Sequence, residues 1–219
     1  MQRQLTFLGA TLTVTGSKYL LTVGSKRYLI ECGLFQGTQE EEQRNWDALP
    51  VAPQDITAVF LSHAHLDHTG YVPRLIATGY RGKVFASEAT CELLKVLWLD
   101  SGRLQEEQAD YANKKGYSRH KPALPLYTED QAKNALRSLA PTPVDQRVPI
   151  DQQVTVTMRR AGHILGSATL TIDINTNGPH RLVVFSGDLG RYNQEVMRPP
   201  APVDHADYLI MESTYGGRA

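Results

Sequence analysis

Cysteine is scarce, with Cys32 and Cys91 the only two in 219 residues, and they stand far apart. That excludes a disulfide framework and a cysteine-built zinc knot, and it suits a reducing compartment. Long apolar runs are missing as well: no stretch approaches the roughly 20 residues that span a bilayer. The N-terminus "MQRQLTFLGATLTVTG" lacks the apolar core and cleavage site of a secretory signal. Net charge is absent too, since 23 basic residues balance 23 acidic ones. Bulk electrostatics therefore favour no polyanion, and the most basic cluster, "KKGYSRHK", reads as a solvated loop. A soluble, cytoplasmic protein without membrane association is the expectation.

What is present is an ordinary globular composition, 41% hydrophobic and 21% charged, long enough for one sizeable core. "SKYLLTVGSKRYLIECG" predicts a hairpin turning at Gly24 and Ser25. "ITAVFLS" is continuously apolar and predicts a buried strand. "GYVPRLIATGY", the segment beginning "EATCELLKVLWLD" and "YTEDQAKNALRSLA" carry helical periodicity, the last with Thr128 and Gln131 as a capping box. "QVTVTMRR" and "ATLTIDI" then alternate, while "RLVVFSGD" and "DYLIMEST" are apolar runs stopped by polar residues. The order predicts an α/β (α+β) fold of two sheets sandwiched between helices.

Four apolar runs end in ligand-type side chains: "VFLSHAHLDH", "MRRAGH", "VVFSGD" and "LIMEST". Of seven histidines, His63, His65, His68 and His163 sit at these ends, whereas His120, His180 and His205 fall in polar stretches and read as surface residues. A lone His-x-His in a loop is commonly a surface feature. A His-x-His-x-Asp-His string behind a buried strand is far more specific. On an extended backbone His63 and His65 share a direction and can meet one ion, with His163 completing its shell. Asp67 and His68 follow a turn and can address a second ion, and Asp188 is the candidate bridge. Neutral imidazole with carboxylate suits two Zn2+ ions, and Mn2+ or Fe2+ accept the same donors.

"SHAHLDHTG" resembles the metallo-β-lactamase superfamily, an αββα sandwich with a dinuclear site at one edge. "TVTGSKYLL", "ECGLFQG", "YTEDQA", "AGHILGSATL", "FSGDLGR" and "MESTYGGR" together resemble its β-CASP branch of nucleic-acid nucleases, in particular prokaryotic relatives of the nuclease subunit of the cleavage and polyadenylation specificity factor. The resemblance implies that residues 1–219 form the N-terminal portion of a metallo-β-lactamase-like domain. It implies an inserted β-CASP domain and closing strands that this sequence lacks, together with two histidines they would supply. It implies His63, His65 and His163 on one metal, Asp67 and His68 on the other, Asp188 between them, and Asp67, Asp188 and Glu212 as the catalytic carboxylates. Glu31 stands where the family usually has aspartate, and a modest loosening of the metal loop is the expected consequence.

The implied activity is hydrolysis of phosphodiesters, with single-stranded RNA the expected substrate and DNA the alternative. Two other readings share the ligands: a small-molecule metallohydrolase of thioesterase, lactonase or lactamase type, and a non-catalytic metal-binding partner subunit. Apolar surface left by absent strands would favour a homo-oligomer.

Overall fold

The structure, a computed structural model, describes residues 2–117, 121–176 and 179–217. His120 lies outside them, as do Ser118, Arg119 and Arg218 of the motifs above. The first sheet has six strands in the order β1 (Arg3–Phe7), β2 (Tyr19–Val23), β3 (Lys26–Ile30), β4 (Ala58–Phe60), β5 (Lys83–Ser87) and β6 (Leu139–Thr142). Its first three strands form antiparallel pairs, and β3 to β6 run parallel. The second sheet is ordered β11 (Tyr208–Ile210), β10 (Arg181–Phe185), β9 (Ala168–Ile174), β8 (Val154–Arg160), β7 (Arg147–Pro149).

The hairpin forms as its turn residues require: Gly24 adopts φ +61, and Val23 pairs with Lys26. The described residues form five α-helices: α1 (Gln39–Gln43), α2 (Leu66–Thr69), α3 (Val72–Ala77), α4 (Glu88–Lys115) and α5 (Glu129–Ala135). The expected capping box is realised, with Thr128 accepting from the Gln131 amide and Gln131 reaching back. α4 starts on the Ser87 side chain and ends at Gly116 in the left-handed conformation. It buries Cys91, Leu94 and Trp98 on one face.

The alternating residues of β8 and β9 explain the layering. Val154, Val156, Met158, Leu170 and Ile172 face Tyr28, Ile30 and Phe60 and form the core between the sheets. Leu29, Val59 and Val84 face the other way, against Tyr71, Leu75, Leu94, Trp98 and Tyr127 from the helical layer. β4 is short and buried throughout because both of its faces are covered.

Three layers are thus built: helices, six-stranded sheet, five-stranded sheet. Among the described residues no helix follows residue 138, so the second helical layer of an αββα sandwich is not formed by them. No described helix is long and apolar enough to cross a membrane. β6 and β7 carry Pro141 and Pro149, which mask strand character in the sequence. Both are edge strands, where a missing N–H is tolerated.

Candidate metal centre

The carboxyl ends of β4, β8, β10 and β11 point to one rim, and the sequence-selected residues collect there. His63 follows β4, and His65 caps α2, which carries Asp67 and His68. His163 follows β8, Asp188 follows β10, and Glu212 follows β11. His63 Nε2 lies 3.0 Å from His65 Nδ1, which lies 3.3 Å from His163 Nε2. Asp188 Oδ2 faces His63 Nε2 at 3.7 Å and His163 Nε2 at 3.5 Å. One donor atom from each of these four residues falls within 4.8 Å of all the others.

The other Asp188 oxygen, Oδ1, stands 3.2 Å from His68 Nε2, and Asp67 Oδ2 is 3.6 Å from that same nitrogen. Asp188 therefore faces two groups of donors, one with each oxygen. His180 and His205 are exposed and stand apart from this cluster, as their polar surroundings suggested.

Backbone proximity makes this rim. Gly33 lies so close to the metal loop that a Cβ there would sit 1.5 Å from the Asp67 carbonyl. Ser17 donates to the Asp67 carbonyl and Cys32 to that of His68, which holds the loop against the sheet. Gly187, at φ +54, packs where a Cβ would strike Ser62.

Three supporting residues escape a reading based on ligand types. Ser62 Oγ lies 2.9 Å from His63 Nδ1, Ser167 Oγ accepts from the His163 amide, and Ser186 Oγ accepts from the Glu212 amide. Each serine adjoins a motif, but serine near a strand end is too common to single out. Glu31 is buried, and its Oε1 accepts from the Ser62 amide while Oε2 stands 3.5 Å from His68 Nδ1. The longer side chain thus reaches both the loop and a ligand-type imidazole.

Burial pushes the pKa of His63 down to about 2, with the neighbouring imidazolium of His68 adding to it. Burial, followed by the charge of His163, also lowers that of His65. For His68 burial acts the same way, yet the nearby carboxylates of Asp188 and Glu31 outweigh it and raise the group to about 10. Burial alone would raise Asp188, but its hydrogen bond to His68 and the surrounding charge hold it below the usual carboxylate range.

This constellation fits divalent metal. Three imidazoles crowd their ring nitrogens together beside a carboxylate, and such a donor set is completed by a cation. His68 Nδ1 and Glu31 Oε2 are buried without a hydrogen-bond partner at their 3.5 Å separation. That arrangement suits an imidazole that offers Nε2 to a metal and Nδ1–H to a carboxylate.

Asp188, His68, Glu31 and Glu212 also line a cavity of about 380 Å3, together with Tyr19 and residues of the 10–17 loop. Glu212 Oε1 accepts from the Leu189 amide at 2.7 Å and Oε2 from the Thr214 hydroxyl at 2.9 Å. It braces the turn that carries Asp188.

A layered pair of sheets with a histidine and carboxylate rim defines a metal-binding α/β domain. The model of the metallo-beta-lactamase superfamily matches residues 14–213, and the chain belongs to that superfamily. Among curated relatives, Ribonuclease TTHA0252 of Thermus thermophilus is 34% identical over 210 residues, covering 96% of this chain and 43% of the relative. Transcription termination factor FttA of Cenarchaeum symbiosum is 29% identical over 218 residues, covering 98% and 31%. Integrator complex subunit 11 of Danio rerio is 27% identical over 223 residues, covering 97% and 34%. The chain spans less than half the length of each of these relatives.

Proposed function

We propose that residues 1–219 are the metal-binding, metallo-β-lactamase-like domain of an RNA-processing nuclease that hydrolyses phosphodiesters. The observation that carries this reading is the placement of Asp188, with His63, His65 and His163 toward one oxygen and His68 with Asp67 toward the other. His63, His65 and His163 would hold one cation, Asp67 and His68 the second, and Asp188 both. Zn2+ is the preferred identity on donor type. Bound there, the cations supply Lewis acidity, which makes water nucleophilic near neutral pH and offsets charge on phosphate oxygens.

The chain's own residues do the positioning. Glu31 fixes the His68 ring, Ser62 fixes that of His63, and Glu212 holds the Asp188 turn through the Leu189 amide. The cavity of about 380 Å3 beside His68 and Asp188 gives a phosphodiester room to approach. RNA is preferred as substrate because Ribonuclease TTHA0252 is a ribonuclease by name and matches along nearly all of this chain.

The test compares labelled single-stranded RNA, single-stranded DNA and a chromogenic lactam under one metal, with Asp188→Ala as control. Cleavage of RNA that disappears in the variant is the expected result. Lactam turnover without cleavage of either nucleic acid would overturn the reading in favour of a small-molecule hydrolase. Metal binding with no turnover of any substrate would leave a non-catalytic subunit.

A further inference from the structure

Lys18 precedes β2 and is only 2% exposed, yet among the described residues its side chain has no hydrogen-bond or ion-pair partner. Its ammonium lies 4.4 Å from the centroid of Phe35 and 4.9 Å from that of Tyr71. The guanidinium of Arg44 stands 3.8 Å from the same Phe35 ring, and it too has no carboxylate partner among the described residues. Lys18, Phe35, Arg44, Asp47 and Tyr71 line a cavity of about 130 Å3 with Leu8 at its edge. One water occupies about 30 Å3 of the liquid, so the space exceeds that of a single solvent molecule.

Buried charges are ordinarily paired, because desolvating an ion costs several kcal/mol that a partner must offset. Here the buried ammonium of Lys18 and the exposed guanidinium of Arg44 lie against one ring, and no described carboxylate pairs with either. Aromatic faces return on the order of 2 kcal/mol for a desolvated cation, short of the several kcal/mol that desolvation costs. Asp47 lines the cavity but forms no ion pair with either cation. Burial, reinforced by the charge of Arg44 and opposed by Cys32, lowers the Lys18 pKa to about 8. A negative group in the cavity would relieve both the burial cost and the repulsion.

The cavity is separate from the metal centre. Ser17 and Tyr19 line the cavity beside Asp188, and the intervening Lys18 projects to the opposite side, toward Phe35 and Tyr71.

We propose that the Lys18–Arg44 cavity is an oxyanion site that takes a phosphate group. The group could come from a free phosphate or phosphomonoester, or from the backbone of a nucleic-acid strand. Both present the same anionic oxygens to an ammonium at the floor and a guanidinium at the mouth. The site does not depend on the nuclease reading.

The experiment is titration of the purified, chelator-treated chain with inorganic phosphate and separately with a single-stranded oligoribonucleotide, followed by calorimetry. Wild type is compared with Lys18→Met and Arg44→Gln. Arg44 is exposed, so Arg44→Gln keeps the fold and carries the test should Lys18→Met fail to fold. The expected result is saturable phosphate binding that weakens about tenfold or more in each folded variant. If the oligonucleotide weakens in parallel, the site serves a strand; if it does not, the site serves a free phosphate, and either result supports it. No phosphate binding, or equal binding to all three proteins, overturns it. Because metal is absent, loss of nuclease activity in Asp188→Ala bears on the proposed function and leaves this result untouched.

Discussion

Glu31 and His68 are sequence-distant residues whose side chains meet in the buried floor of the metal centre, Oε2 to Nδ1 at 3.5 Å. The other Glu31 oxygen is occupied by the Ser62 amide. One carboxylate therefore ties the β4 turn to an imidazole of α2, and it does so from a left-handed backbone conformation, φ +58. In Glu31→Gln the amide oxygen can serve Ser62 only by turning its NH2 toward His68 Nδ1. That favours the tautomer with the proton on Nε2, the nitrogen that faces Asp188. Under the proposed two-metal reading, the expected outcome is about 10- to 100-fold weaker binding of one metal equivalent, read by metal titration. Equal affinity in the variant would show that Glu31 does not set the ring.

Asp188→Ala removes the carboxylate that, among the described residues, faces both donor groups. Under the proposed two-metal nuclease reading, metal content is expected to drop from two equivalents to one or none, and RNA hydrolysis by about 10³-fold or more, the scale of several kcal/mol of lost charge stabilisation. Circular dichroism should remain that of the wild type, because Asp188 lies on the rim outside both cores. Two retained metal equivalents would count against the bridging role.

Gly33→Ala places a methyl where the Asp67 carbonyl now sits. The loop must move, taking Asp67 and His68 with it. Weaker metal binding is expected with little change in the content of helix and strand, and elemental analysis after dialysis measures it. Unchanged metal retention would mean that the loop yields without disturbing its ligands.

Trp98 is fully buried between α4 and the first sheet, and its Nε1–H donates to Thr69 Oγ1 at 3.3 Å. Trp98→Ala is expected to cost about 3–5 kcal/mol in urea unfolding. Trp98→Phe, which keeps most of the volume, should cost markedly less. Comparable losses in both would trace the effect to the Thr69 hydrogen bond instead of to packing.

Asp151 joins the hairpin to the second sheet. It accepts from Lys26 Nζ at 2.8 Å, from the Tyr28 hydroxyl at 2.6 Å and from two backbone amides. Burial opposes ionisation, but those hydrogen bonds prevail and lower its pKa. A carboxylate depressed on folding contributes stability above its unfolded pKa of about 3.9, and that contribution disappears as pH falls through the lower folded value. Asp151→Asn should therefore be less stable than wild type near pH 7, with the gap narrowing below about pH 4. Thermal melts across that range measure it, and a gap that widens in acid would reverse the assignment.

Much of the fold was legible because local chemistry fixed it. The Gly24 turn, the Thr128 capping box and the period-two alternation of Val154, Val156 and Met158 each act within a few residues, and each forms as expected. β6 and β7 were not legible, because Pro141 and Pro149 contradict strand propensity and only an edge position makes them acceptable.

The site divides in the same way. The His-x-His-x-Asp-His string by itself determined that metal-type donors would gather at the end of β4, since spacing on one strand and one turn sets their direction. Only the tertiary structure decided which oxygen of Asp188 faces which imidazoles and that Glu31 reaches His68. It also decided that Lys18 and Arg44 share one aromatic ring with no described carboxylate paired to either. Those relationships join residues far apart in sequence, and side-chain reach across a packed interface leaves no periodicity in a chain.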